Sequence, residues 1–180
     1  MLKFIFIALA AVVVFLVIVV ALQPADFRII RSATIAAPPD AVFAQFNDFQ
    51  KWNAWSPWAK MDPNAKNTFD GPPAGVGAGF AWAGNNEVGE GRMTITESKP
   101  NELIRIKLEF TKPFTATNTT EFTFKPEGSQ TAVTWSMSGR NNFMAKAFGL
   151  FVNCDKMVGG QFEKGFANLK EVVAAKNPQS

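Results

Sequence analysis

Side chains able to move a proton or attack a carbon are scarce in this chain. It contains no histidine, the side chain most used as general acid or base and as metal ligand. That excludes a Ser-His-Asp triad, a Cys-His dyad and a His-based zinc site. Cys154 is its one cysteine, so no intrachain disulfide and no CxxC motif exist. It lies in an apolar helical pattern, where a free cysteine packs as a small apolar side chain. Asp70, Glu87 and Glu90 fall in or near loops that would rim a cavity. One of them with a raised pKa could serve as a general base, but no second group is placed to help it. Glu90 and Arg92 alternate against Met93 and Ile95, which predicts an exposed ion pair of little energetic weight. Asp48 reads as a turn or capping residue. Arg140, just ahead of the last helical pattern, could meet an acidic head group, with a surface role as the default. The run "GVGAG" (Gly75–Gly79) precedes a strand pattern rather than a helix, which makes it a weak phosphate cradle. No catalytic residue, metal or cofactor is expected.

The aromatic residues are the stronger signal. The chain has 18 Phe and 5 Trp but no Tyr, so its large rings mostly lack a polar tip. Trp52, Trp55 and Trp58 crowd into "KWNAWSPW" between polar, turn-like flanks. Trp52 and Trp55 are spaced as on one helical turn, and Ser56-Pro57 then redirects the chain. Three readings stand side by side: a core plug, a gate that touches ligand, or an aromatic belt at a membrane interface.

The elements that must position these rings are legible from periodicity. Phe4–Leu22 is apolar and uncharged, and as a helix would span roughly 28 Å, close to the bilayer's hydrocarbon thickness. Its length favours an uncleaved membrane anchor over a cleaved signal peptide, whose apolar region is about 7–15 residues. Residues 1–23 are therefore expected to be a single-pass anchor and residues 24–180 the folded domain. Lys3 and the amino terminus suit the cytoplasm, which puts the domain outside, in the periplasm if the cell has one. Beyond the anchor the length suits one core. The net charge of +3 and the lack of a basic block give no sign of nucleic acid as partner.

Phe27, Ile29, Ala33 and Ile35 alternate as in a strand, and "APPDAVFAQF" opens a helix with prolines in its first turn. "DPNAKNTFDGPPAGVGAG" reads as loop and hairpin. Period two then takes over. Phe80 pairs with Trp82 and Met93 with Ile95. Ile106, Leu108 and Phe110 share one face, opposite Arg105, Lys107 and Glu109. Asn118 and Thr120 share parity with Phe122 and Phe124, and Trp135 goes with Met137. Such alternation predicts an antiparallel sheet with one wet and one buried face. From Phe143 to Val173 apolar residues recur at three and four, on one long helix or a short one followed by a long one, with Asn141 or Asn142 as cap. Gly159, Gly160 and Gly165 mark either a break or a close approach to the sheet.

This order, with "ATIAAPPDAVFAQFNDFQKWNAWSPW", "GVGAGFAWAGNNEVGEGRMTI", "VTWSMSG" and "MVGGQFEKGFANLKEVV" in sequence, resembles the helix-grip superfamily of START, Bet v 1-like and SRPBCC proteins. The match is to its polyketide cyclase/dehydrase-like branch, over Arg31 to Val173. The resemblance implies an α+β fold in which a curved antiparallel sheet of about seven strands grips a long C-terminal helix. It also implies a hydrophobic cavity between them. The rings and aliphatic residues paired above (Phe80, Trp82, Met93, Ile95, Ile106, Leu108, Phe110, Phe122, Phe124, Trp135, Met137), with Phe162 and Phe166 from the helix, are the expected wall. Asn118 is the candidate polar group within it. The expected function is membrane-anchored binding of an apolar small molecule or lipid, with no assigned reaction. A cyclase/dehydrase-like enzyme and a ligand-free envelope interaction domain are the alternatives. The oligomeric state is not legible.

Overall fold

The computed structural model describes residues 2–176. The uncharged run Phe4–Leu22, with Leu2 and Lys3 ahead of it, forms helix α1, Leu2–Leu22, which is long and apolar enough to cross a membrane and leaves most of its side chains exposed. Strand β1, Asp26–Ile35, follows almost at once. Pro38 and Pro39 then start helix α2, Pro39–Phe46, because a missing N–H costs nothing in a first turn. Two 3₁₀ turns carry the tryptophan segment, Phe49–Ala54 and Pro57–Lys60. Asp48 caps the first, accepting from the Gln50 N–H at 2.9 Å.

The remaining strands are β2 Lys66–Asp70, β3 Gly79–Ala83, β4 Glu90–Lys99, β5 Leu103–Lys112, β6 Ala116–Glu127 and β7 Gln130–Arg140. With β1 they form one antiparallel sheet in the order β1-β7-β6-β5-β4-β3-β2. Strand β2 lies where the sequence reads as loop. Every one of its residues is exposed, so it carries no buried face and no apolar alternation to betray it, as a short polar edge strand need not.

The parity of the central strands places Ile104, Ile106, Phe122 and Val133 in the core. The outer face carries an ion-pair network in which Arg105 meets Glu97 and Glu121, and Lys107 meets Glu109. Glu90 and Arg92 do not pair with each other as expected. Register hands Glu90 to Lys112 on β5 and Arg92 to Asp70 on β2, each at 2.8 Å. For these two side chains an opposite charge on the adjacent strand lies within reach, and cross-strand pairing wins.

The C-terminal helical pattern divides into α3, Phe143–Gly149, capped by the Asn142 side chain, and α4, Cys154–Lys176. The apolar stripe is buried only on α4, through Phe162, Phe166, Leu169 and Val173. Phe143, Leu150 and Phe151 are exposed, because the break after Gly149 turns α3 off the sheet, and Met157 is exposed in the first turn of α4. Helix α4 runs unbroken through its glycines. A Cβ at Gly159 would collide with the Arg31 guanidinium, and one at Gly165 would sit 3.0 Å from Cζ3 of Trp135. These two glycines let the helix approach the sheet, whereas Gly160 faces open space. Arg31 clamps β1 to α4, with Nη2 2.9 Å from Asp155 and Nε 2.8 Å from Glu163. The charge-assisted hydrogen bond from Arg31 holds the Asp155 carboxyl below the usual aspartate range.

Candidate functional site: an apolar cavity under the gripping helix

A single helix is narrower than the curved sheet it covers, and the gap is filled unequally along the strands. At one end α2 and the first 3₁₀ turn supply rings. Phe46 packs on Phe122 with centroids 4.6 Å apart, and Phe43 on Phe124 at 5.3 Å. At the other end, where β1 begins and β7 ends, there is a cavity of about 230 Å³. Its floor is Phe80, Trp82, Met93, Leu108, Phe110, Thr120, Trp135 and Met137 from the sheet. Val158 and Phe162 of α4 and Trp52, Ser56, Trp58 and Ala59 of the 3₁₀ segment cover it. Asn53, Asn67 and Glu87 are the exposed members of the lining.

Other residues expected on the wall lie elsewhere. Ile95, Ile106, Phe122 and Phe124 are buried in the solid part of the core, and Phe166 packs edge-on to Trp135 at 5.9 Å. Asn118 is also buried but off the cavity surface. Its Oδ1 fills the space over Gly139, its register partner on β7, where a side chain would otherwise stand. Alternation tells which face a residue takes, but not how far along the strand the overlying helices leave a gap. Thr120 and Val158 were not anticipated. Thr120 shares parity with Phe122, so the signal was present.

The tryptophan segment resolves by position. Trp55 is 0% exposed and absent from the cavity lining. Its indole N–H donates to the Gln45 carbonyl at 3.3 Å, and that of Trp52 to the Phe46 carbonyl at 3.1 Å. Both acceptors lie in the last turn of α2, whose carbonyls have no intrahelical donor. The Trp55 carbonyl in turn accepts from Asn168 Nδ2 of α4 at 3.0 Å. Trp55 is thus a plug between α2, the sheet and α4. An aromatic belt at a membrane interface is ruled out for Trp52 and Trp55 by their burial. Trp58 is half-buried, and Trp52 and Trp58 both touch the cavity.

The polar groups of the cavity are few. Asp62 is occupied in holding loops, accepting from the Asn64 N–H at 3.0 Å and the Asn85 N–H at 2.7 Å. Trp82 Nε1 donates to the Val88 carbonyl at 3.0 Å and fixes the β3–β4 turn as a side wall. Trp135 differs: its indole N–H is buried and has no partner. Glu97, held low by a hydrogen bond from Lys99 and by Arg105, and Asp155 both lie outside the cavity lining. Among the described residues no cluster of His, Cys, Asp or Glu could hold a metal.

A gripped C-terminal helix over a seven-stranded antiparallel sheet, with an apolar cavity between them, defines a helix-grip protein. The chain belongs to the family described as polyketide cyclase/dehydrase and lipid transport, whose model matches residues 26–174. Among similar solved structures is the protein CV1439 from Chromobacterium violaceum, with a TM-score of 0.58 and 17% identity, covering 84% of this chain and 98% of that one. SA2116 from Staphylococcus aureus, a protein of unknown function, has a TM-score of 0.63 at 9% identity, covering 86% and 97%. DynU16, from the dynemicin biosynthetic locus, has a TM-score of 0.56 at 12% identity, covering 84% of this chain and 48% of that one. At these identities the likeness is one of fold. No curated protein matches this chain.

Proposed function

We propose that this protein binds an apolar small molecule or lipid in the cavity, while α1 anchors it in the membrane with the domain on the outer side. The observation that carries this reading is an apolar cavity lined in part by Trp135, whose indole N–H is buried and has no partner. A buried N–H left unpaired costs about 1–3 kcal/mol, and a ligand carbonyl, ether or hydroxyl oxygen there would recover it. The apolar body of the ligand would supply most of the affinity and this one hydrogen bond its orientation. The volume lies below the roughly 300–1,000 Å³ of ordinary ligand pockets. It suits a compact ligand, or a longer one that protrudes past Asn53, Asn67 and Glu87. Trp58, with Trp52 behind it, is the proposed gate; Trp55 is not part of it.

A cyclase or dehydrase-like reaction is the second reading, favoured by the family and by the biosynthetic locus of DynU16. Of the cavity carboxylates, Asp62 is tied to two backbone N–H groups, which leaves Glu87 as the candidate base.

Native mass spectrometry of the full chain released from detergent, with extraction of what it retains, tests the binding reading. It expects one apolar species, lost in Val158→Trp, which fills the cavity. An empty protein that also fails to take up a hydrophobic dye would overturn it.

A further inference from the structure

The exposed rings of this protein gather at the end of the sheet from which α1 departs. Helix α3 packs against the C-terminal end of α1: Val20 is buried there, and Lys146 Nζ donates to the Ala21 carbonyl at 3.3 Å. The other side of α3 and the turn after it carry Met144, Phe148 and Phe151 at 60%, 52% and 87% exposure. Phe114, 62% exposed, tips the β5–β6 turn. Register puts that turn at the same end, because β6 begins at Ala116 opposite Phe110 and Asn118 pairs with Gly139, next to Arg140. Arg140 in turn faces Asp26, where β1 leaves the anchor.

We infer that α3, the turn after it and the β5–β6 turn form a docking surface for the bilayer itself, seating the domain on the lipid from which α1 emerges. This rests on reading α1 as a membrane anchor. Apolar side chains exposed in this number call for a covering partner. The anchor fixes which one, since a surface joined directly to the end of the span is held beside lipid at high effective concentration. The charges agree. Lys146 lies on α3 and Lys156 in the first turn of α4, while the Asp155 carboxylate is ion-paired with Arg31, which also meets Glu163. Rings with nearby lysines suit the interface of an anionic leaflet. The cavity lies towards this same end of the sheet, with Glu87 of the β3–β4 turn among its exposed lining, so a docked domain would hold it near the bilayer.

The test uses the full chain in nanodiscs of phosphatidylcholine and phosphatidylglycerol. On a Cys154→Ala background, single fluorophores are attached after Phe151→Cys, Phe114→Cys, Lys125→Cys or Phe15→Cys. Lys125 is exposed near the far end of β6, and Phe15 is in α1. Lipids brominated near the head group should quench the labels at 151 and 114 severalfold more than the label at 125. If the label in α1 is quenched by deeply brominated lipid but those at 151 and 114 behave like 125, the anchor stands and the docking surface falls. If 151 and 114 are shielded from water but unquenched by lipid, the surface meets protein, such as a second copy, and the inference is overturned. If the label in α1 escapes quenching, the anchor reading fails and takes the docking surface with it.

Discussion

The indole of Trp135 on β7 lies parallel to the ring of Phe162 on α4, with centroids 4.0 Å apart and 8° between the planes. This stack joins sheet to gripping helix at the inner wall of the cavity. It covers one face of the indole and leaves the buried N–H without a partner. Trp135→Phe keeps a ring for the stack and removes the donor. Losing an unsatisfied donor offsets part of the cost of the smaller buried ring, so the unliganded protein should lose no more than about 1–2 kcal/mol. Losing the ligand's one fixed hydrogen bond should weaken binding by about 2- to 10-fold. Urea unfolding and dye or lipid titration would separate the effects. Unchanged affinity would mean that the N–H does not meet ligand.

Trp55 and Trp58 sit three apart in sequence and should behave oppositely. Trp55→Ala removes a fully buried ring and its hydrogen bond to Gln45, and should cost about 3–5 kcal/mol. Trp58→Ala, at a half-buried site on the cavity, should cost about 1–2 kcal/mol and speed both uptake and release of ligand in stopped-flow measurements. Exchange rates unmoved by Trp58→Ala would remove the gate.

The glycines of α4 give a test of how closely the helix is gripped. Gly160→Ala meets open space, so it should gain about 1 kcal/mol from helix propensity alone, raising the melting temperature by about 2–4 °C. Gly165→Ala should not, because its Cβ would press on Trp135 at 3.0 Å and Pro57 at 3.4 Å. Equal stabilisation by both would show that helix and sheet lie further apart.

The Arg31 clamp should be sensitive to acid. Asp155 is held below its ordinary value of about 3.9 by Arg31. A depressed carboxylate contributes stability that is fully present above the unfolded-state value and is lost as pH falls through the folded one. The stability difference between wild type and Arg31→Ala should therefore be constant near neutrality and shrink only in acid. The Asp155 carboxyl carbon followed by NMR should titrate low in wild type and return towards the ordinary value in Arg31→Ala. An unshifted Asp155 in wild type would show the clamp to be absent in solution.

Strands with one wet face were readable because burial on a single face writes itself as alternation, as in Ile104, Ile106 and Leu108 against Arg105 and Lys107. Strand β2 was not, since an edge strand without a buried face leaves no pattern. Ion-pair partners were not readable either. The partner of Arg92 is set by the β2–β3–β4 register, which brings Asp70 beside it from another strand. The exposure of Phe143 and Phe151 was hidden for a similar reason. They continue the helical period of α4, and only the break after Gly149 turns them outward.

By itself the sequence determined the long apolar N-terminal helix, the sheet, the gripping helix and the lack of histidine-based or disulfide chemistry. Each of these depends on residue type and on spacing within one segment. The tertiary structure decided what depends on how segments meet along the strands. Rings from α2 and the first 3₁₀ turn fill one end of the core and leave the other hollow, so Trp135 and Phe162 face a cavity while Phe122 and Phe124 do not. It likewise turned Trp55 into a plug, because the open carbonyls at the end of α2 lie within reach of its indole.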